Sequence, residues 1–595
     1  MSESEDRLAA LLDIVCPESK DVVMMSTPCP GPGPTKRFLN KLKEILADAE
    51  HAAYFIQGIG DGTVLKTVLD NTDKQVRIIV IEHDYGRICQ VMQDIADGFE
   101  RNLKRVRIID PGPIVHQVSR LALLNGVSGQ PMYFIPCYYL CEGEEGKAEL
   151  EFWSHISKTV ISPFLANNRT GVATQFMNAR KTCQNMLDNV EHYVGSIRLD
   201  TLLTRYTGSQ CVVVSAGPSV QRALPLLKKI HDEKSAVIIS CLTMLKPLLN
   251  AGIRPLIVTA LDYHPISAKF FEDLGDLGDI YFVLEPKVNV QVTKEALLRN
   301  ARLLYNFNFW MNLFFADPNG LLISGKDAPN YQIFEGCTVA HLSLAVAMSM
   351  NAKRTLLLGQ DFAFPENKYY PDQVYEAHKF KSNSLGCGGM YHAMQNWRGE
   401  QVFTDDQMVS YWFRMLEQVE ACITPIDVVS DGLPFKDTGK ARHIELDEAE
   451  MLYTGLPKLL PDMQLIRRNY SLSKLNDQLN QHADNIIEFA GVLDGALSIY
   501  DGDFSDPATL EAATEKAMAL EETIKEKYAV QRMLVDGYSG TIPCVSAQLD
   551  KNLGKISGKK DRFHKRMDRD RMIIRQTVSR AKELADMIRA ATTPF

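Results

Sequence analysis

The sequence predicts an α/β protein: a Rossmann-like N-terminal domain, a central doubly wound, mainly parallel sheet domain and a C-terminal α-helical bundle. Three observations carry this. Between residues 209 and 445, short runs of β-branched residues alternate with helical patterns, as in a parallel sheet covered on both faces. At 53–82 a strand, a glycine-rich turn, a helix and a second strand ending in an acidic residue follow one another, the ribose-binding layout of dinucleotide folds. Beyond residue 465, apolar residues keep a three/four spacing, as on helices that pack on one another.

A chain of 595 residues holds about three or four domains. The divisions read from it are a flexible segment at 1–34, the N-terminal domain at 35–150, a helical bridge at 151–208, the central domain at 209–445 and the helical domain at 446–595. Hydrophobic residues make up 45% and charged residues 23%, a soluble globular composition. No apolar run reaches the ~20 residues of a membrane span. The acidic, polar start of the chain is not that of a signal peptide. The twelve cysteines are scattered without a CxxC pair, so reduced thiols in a cytoplasmic protein are expected and no metal site is read. A net charge of −9 argues against general nucleic-acid binding. Oligomeric state is not legible.

In chain order, Pro28, Pro30, Pro32 and Pro34 with Gly31 and Gly33 form a stiff connector. Residues 36–47 follow as an amphipathic helix carrying Phe38, Leu39, Leu42, Ile45 and Leu46. Strands are expected at 53–56, 76–81 and 106–109, with a helix at 63–71. The first turn holds Gly58, Gly60 and Gly62, and the second strand closes on Glu82. These residues are candidates for a nucleotide. The spacing Gly58-x-Gly60-x-Gly62 is nearer a methyltransferase-type loop than the full dinucleotide motif, and glycines that only shape the turn are the competing reading.

The bridge at 151–208 reads as helices from the spacing of Phe164, Leu165, Phe176, Met177, Met186, Leu187, Val190 and Tyr193. In the central domain, strands are expected at 212–215, 236–240, 256–261, 280–284, 303–305 and 355–358, with a last one near 426–429. Helices are expected at 223–231, 244–251, 293–300 and 339–350. Ligands of such sheets bind beyond the carboxyl ends of the strands. There the sequence gathers Ser215-Ala216-Gly217-Pro218-Ser219, Asp262-Tyr263-His264, Glu285, Asn306 and Gly359-Gln360-Asp361.

The stretch around Gly217 organises the rest. A β-branched strand meets a small-residue turn and then a helix, which presents backbone N–H groups and a helix N-terminus to an anion. Gly217 permits close approach, Pro218 suits a first helical turn, and Ser219 adds a hydroxyl. A phosphate cradle is one reading. A plain strand-to-helix turn built for packing is the other.

Four segments in this order resemble one family. They are Val213-Val214-Ser215-Ala216-Gly217-Pro218-Ser219, Leu248-Leu249-Asn250-Ala251-Gly252-Ile253-Arg254-Pro255, Leu261-Asp262, and Leu358-Gly359-Gln360-Asp361-Phe362-Ala363. Together they resemble the motility accessory factors, flagellin glycosyltransferases of motile bacteria, over about residues 35–440. The central domain is also similar to 6-hydroxymethylpterin diphosphokinases and, more distantly, to bacterial sialyltransferases. The resemblance implies transfer of a nonulosonic, sialic-acid-like sugar from a CMP-activated donor to Ser or Thr of flagellin. The donor is a substrate, and no permanently bound cofactor is implied. The chain departs from the family after Asp262, where Tyr263-His264-Pro265 replaces the usual Asp-Pro.

On this reading Gly217, Pro218 and Ser219 hold the donor phosphate, and Asp262 binds ribose or donor hydroxyls. Gln360 and Asp361 face the ligand. A histidine near neutral pKa suits the general base. His378 is the first choice, because the family often has a histidine in that loop, with His264 and His392 behind it and an aspartate as fallback. For Asp262 the alternative is a turn cap, and for Asp361 a structural partner for backbone N–H groups.

Residues 364–405 read as a long irregular segment, either a binding loop or a surface insertion. Thr404 is the expected cap of the helix that follows. In the tail, residues 551–575 hold ten Lys/Arg against three Asp/Glu, a local +7 that leaves −16 elsewhere. That patch suits an acidic partner surface such as flagellin, or a solvated helix face. Two other functions stay open: pyrophosphoryl transfer to a pterin, and a non-enzymatic flagellar assembly factor.

Overall fold

The computed structural model describes residues 36–46, 53–72, 76–99, 105–109, 132–136, 144–156, 178–306, 308–315, 333, 336, 338–365, 370–371, 374, 391–435, 440–456, 464–468, 471–500, 506–539 and 559–592. The chain divides into two compact units. One comprises Met1–Phe176, Leu493–Leu520 and Gly540–Thr577, and the other Met177–Val492, Glu521–Ser539 and Val578–Phe595. Mixed α/β structure with parallel sheets runs through both.

The first unit holds a four-stranded sheet of β1 (Ala53–Gln57), β2 (Arg77–Ile81), β3 (Val106–Ile109) and β4 (Met132–Pro136), in the order β3-β2-β1-β4. All its pairings are parallel. Ala53 to Ile56 of β1 and Ile78 to Ile81 of β2 are buried, which is why these strands read as continuous apolar runs rather than alternating ones. Their core is completed by Val64, Leu65 and Val68 from the helix Thr63–Asn71. β4 was not expected. Its five residues, Met-Tyr-Phe-Ile-Pro, carry no glycine turn or acidic end to mark them.

Among the described residues, the second unit is built on an eight-stranded sheet whose pairings are all parallel. They are β5 (Gln210–Val214), β6 (Val237–Cys241), β7 (Ile257–Ala260), β8 (Tyr281–Leu284), β9 (Arg302–Tyr305), β10 (Arg354–Leu358), β13 (Ile426–Val429) and β14 (Ala441–His443). The order is β14-β13-β10-β5-β6-β7-β8-β9. From β5 the chain winds outward through β6 to β9, then returns to the other side of β5 for β10, β13 and β14. The expected strands are all present to within about two residues. β14 went unseen because three residues are too few to show a period.

The helices Val220–Glu233, Leu242–Asn250, Val290–Leu298 and Val339–Ser349 lie where expected. The last has eight consecutive buried residues from Ala340 to Ala347, as a helix enclosed on all sides must. Helices also occupy Glu144–Ile156, 178–188 and Leu199–Arg205 of the bridge region, whose residues 157–177 lie outside the described ones.

Two local expectations are corrected. Of the segment 364–405, residues 366–369, 372–373 and 375–390 lie outside the described ones, and 391–405 form an antiparallel hairpin, β11 (Tyr391–Gln395) with β12 (Gln401–Asp405). The following helix, Asp406–Glu420, is capped by Asp405, whose Oδ1 accepts from Met408 N at 2.7 Å. Thr404, the expected cap, sits one residue early and donates from Oγ1 to Phe362 O at 2.8 Å.

The tail contains the helices Leu472–Ala496, Pro507–Lys527, Ala529–Ser539 and Lys559–Thr592. In the second unit Arg589 reaches Asp484 at 2.7 Å and Tyr528 Oη donates to Glu488 Oε1 at 2.6 Å. Among the described residues, no helix is long and apolar enough to cross a membrane. Among the described residues, Cys183, Cys211, Cys241 and Cys422 are free thiols.

Candidate functional site

The strand order fixes where a ligand would sit. In open α/β sheets the crevice opens where successive connections leave in opposite directions. In the large sheet that point lies between β5 and β10. The turn after β5 carries Gly217, Pro218 and Ser219, and the turn after β10 carries Gly359, Gln360 and Asp361. Two of the sequence segments, 142 residues apart, are thus neighbours at one edge.

Their contact is close. Gly217 N–H donates to Gly359 O at 3.0 Å. Ser219 donates to Asp361 from its backbone N–H at 2.9 Å and from its hydroxyl at 2.6 Å. Ser430 Oγ donates to Asp361 Oδ1 at 2.7 Å and Asp431 N–H to the same oxygen at 3.2 Å. Asp361 is 2% exposed. Burial raises its pKa, and the Ser219 and Ser430 donors oppose that shift. Gln360, equally buried, donates from Nε2 to Ser215 Oγ.

Glycine is required here for space. A methyl at Gly217 would overlap Gly359 O and the Asp361 carboxylate, and one at Gly432 would overlap the Asp361 backbone. Pro218 precedes the helix rather than opening it, because helical pairing begins at Val220.

The cradle expectation changes in one respect. From 215 to 221, the N–H groups of Ser215, Gly217, Ser219, Val220 and Gln221 have internal partners, and Pro218 has none to offer. Ser215 pairs with Leu358 O, Val220 with Gly217 O and Gln221 with Pro218 O. Ala216 N–H faces the buried Cys241 thiol, whose pKa burial pushes up to about 11. In this conformation Asp361 occupies the place an anion would take. Ala216, Gly217 and Pro218 keep partial exposure at the crevice.

Asp262 is exposed at the carboxyl end of β7, and its Oδ1 accepts His264 N–H at 2.9 Å. It therefore caps its own turn and still presents a carboxylate oxygen to solvent. β7 lies three strand spacings from β10, about 14 Å, so Asp262 and Asp361 do not form a pair. His264 is exposed, with Lys181 Nζ 3.4 Å from its Nδ1. His378 lies outside the described residues. His392 falls on β11.

The sequence reading missed a polar cluster on the other flank. Arg222 grips Asp431 with Nε at 3.0 Å and Nη2 at 2.8 Å. Arg398, from the hairpin turn, reaches Asp431 Oδ1 at 2.9 Å and Glu445 Oε1 at 2.7 Å. Its guanidinium lies over Trp397, which stacks on His443 with ring centroids 5.0 Å apart. The available signal was Ser430-Asp431-Gly432 after a strand, a repeat of the small-and-acidic turn at Gly359-Gln360-Asp361.

In the first unit, Gly58, Gly60 and Gly62 all have positive φ, at 81°, 57° and 80°, which explains the residue type at each. Glu82 is fully buried. Its Oε2 accepts Ile59 N–H at 2.9 Å, and its Oε1 accepts His83 N–H at 2.9 Å and Asp84 N–H at 3.0 Å. Glu82 therefore holds the glycine turn instead of presenting itself to a ribose.

Residues 184–367 match the family described as 6-hydroxymethylpterin diphosphokinase MptE-like. Among solved structures, the chain is similar to the MAf glycosyltransferase from Magnetospirillum magneticum AMB-1, at 14% identity and a TM-score of 0.51. That match covers 100% of this chain and 89% of the other. No curated protein matches the chain. Both findings support the resemblance to the motility accessory factors, the first across the central sheet and the second as a fold spanning the whole chain.

Proposed function

We propose that this protein is a nucleotide-sugar-dependent glycosyltransferase of the cytoplasm that moves a nonulosonic sugar from a CMP donor to Ser or Thr of flagellin. The observation that carries the reading is the position of the Gly217 turn and Asp361 at the switch point of the parallel sheet, in a chain whose fold is similar to that of a MAf glycosyltransferase.

The chemistry joins an acceptor hydroxyl to the anomeric carbon as CMP leaves, which requires a held donor, a stabilised leaving phosphate and a base. The donor lies along the carboxyl edge of the sheet, over the partly exposed residues 216–218. Asp262 receives ribose or sugar hydroxyls at one end. On donor binding the Ser219 hydroxyl exchanges its Asp361 oxygen for a phosphate oxygen, while Ser430 and the Asp431 N–H keep Asp361 in place. Asp361 and Gln360 act as positioning residues. His378 takes the acceptor proton. The pterin pyrophosphokinase alternative asks carboxylates to carry magnesium, and Asp361 is already engaged by four donors.

The test is the intact mass of flagellin incubated with purified protein and a CMP-activated nonulosonic acid. Mass gains in whole sugar units, lost in His378→Ala, are expected. An unchanged mass in vitro, with an equal flagellin mass in cells lacking the protein, would leave the assembly-factor reading in its place.

A further inference from the structure

A second site lies away from the switch point. A cavity of about 360 Å³ opens beside the amino end of β9, lined by Val194, Ser196, Leu297, Leu303, Arg467 and Arg468 among others. Its size falls at the lower end of small-molecule sites, roughly 300–1,000 Å³.

Its lining is divided by chemistry. Val194 and Leu303 are buried, and Leu297 and Leu472 at the mouth are 41% and 46% exposed. Ile466, next to Arg467, is 54% exposed. An apolar rim around a concave site of this kind marks a place for a ligand body.

The polar part is cationic. Arg467 makes a single long contact, Nη1 to Gly195 O at 3.5 Å. Arg468 donates from Nη2 to Tyr305 O at 3.2 Å and lies 4.5 Å from the Tyr193 ring centroid. Its Nε and Nη1 are buried and have no hydrogen-bond partner. The nearby carboxylate of Asp200 is held bidentately by Arg198. The other titratable lining residues are Glu191 and His192. Buried guanidinium N–H groups without an acceptor are costly, and cation–π contact with Tyr193 offsets that only in part.

We propose that this cavity binds a small organic anion, a carboxylate or phosphate on an apolar body. The head is gripped by Arg467 and Arg468, and the body lies against Val194, Leu297 and Leu303. Arg467, being exposed, makes the first contact. A small rotation of the Arg468 guanidinium off the Tyr193 face then gives its unpaired N–H groups to the same oxygens, the forked geometry that suits carboxylate and phosphate. This site is independent of the glycosyl-transfer reading.

Calorimetric titration of the full-length protein with hexanoate, hexyl phosphate, hexanol and inorganic phosphate tests it. Saturable binding of hexanoate or hexyl phosphate is expected, the tighter of the two identifying the head group. Hexanol should bind at least ten-fold more weakly, and so should inorganic phosphate. Arg467→Gln and Arg468→Gln should each weaken binding at least ten-fold. Ala301 also lines the cavity, and Ala301→Phe, which narrows it and leaves both arginines in the sequence, should abolish binding and keeps the test intact if Arg468→Gln does not fold. Absence of saturable binding by both hexyl anions overturns the proposal. So does equal affinity in wild type, Arg467→Gln and Ala301→Phe.

Discussion

Asp361 and Ser219 are joined twice, the Asp361 carboxylate accepting both the N–H and the hydroxyl of a residue 142 positions away. This pair of hydrogen bonds ties together the turns after β10 and β5 that flank the switch point. Four donors converge on the carboxylate when Ser430 Oγ and Asp431 N–H are included. In Asp361→Asn an amide N–H₂ replaces one acceptor, so at least one donor loses its partner. The expected cost is about 2–4 kcal/mol, read as a lower denaturation midpoint at unchanged slope. A midpoint within about 0.5 kcal/mol of wild type contradicts the structural role.

Gly217 and Gly491 give opposite expectations for the same change. A methyl at Gly217 meets Gly359 O and the Asp361 carboxylate, whereas a methyl at Gly491 meets nothing within 4 Å. Gly217→Ala should therefore destabilise by about 1–3 kcal/mol through overpacking. Gly491→Ala, in the exposed face of Leu472–Ala496, should stabilise by about 0.5–1 kcal/mol. Thermal melts of the two variants check the pair, and shifts of the same sign would count against the packing at 217.

Much of the sheet was legible because buried parallel strands appear as unbroken apolar runs: Val212 to Val214 and Leu356 to Leu358 are buried on both faces. The order of those strands was not legible, since nothing in the run at 354–358 says that it pairs with 210–214 rather than with 302–305. Once the order is known, Gly217 and Asp361 become neighbours. The sequence named both residues but could not assign the Asp361 carboxylate to Ser219. Likewise it named Glu82 without seeing that Ile59 N–H would reach it. Arg222, Arg398 and Asp431 went unmarked because charged residues at helical or turn positions are ordinarily solvated, and only the fold brings these three together.

The buried histidines set a pH dependence. Burial lowers His341 to about 3, and burial with the neighbouring Arg398 lowers His443 to about 4. In the unfolded chain both protonate near the ordinary value of about 6.5. The unfolded state thus binds more protons between about pH 6.5 and 4, and stability falls as pH falls through that window. Asp361 acts in the opposite sense: its raised pKa lets the folded state hold a proton longer, so its contribution is lost as pH rises from the usual carboxylate range. Between pH 7 and 5 the histidines of the unfolded chain gain their protons, so their sense sets the expected direction. The denaturation midpoint should be lower at pH 5 than at pH 7. His443→Phe, which keeps the stack on Trp397, should narrow that difference, and an unchanged difference would show that His443 does not carry it.

Asp262 separates the catalytic proposal from a purely structural one. Its carboxylate is exposed and its one internal bond is to His264 N–H, so its structural share is that of a turn cap, on the order of 1 kcal/mol. Asp262→Asn can still accept that N–H and should melt within a few degrees of wild type. If the carboxylate holds a donor hydroxyl, the same variant should raise the donor KM about ten-fold or more, since an acceptor to a bound hydroxyl in a charge-assisted bond is worth about 1.5–3 kcal/mol. Asp262→Ala should lower stability slightly further and lose transfer to a similar extent. Steady-state kinetics of sugar transfer, with melts on the same preparations, distinguish the two. Full activity in Asp262→Asn and Asp262→Ala would reduce the residue to a cap and move the donor away from β7.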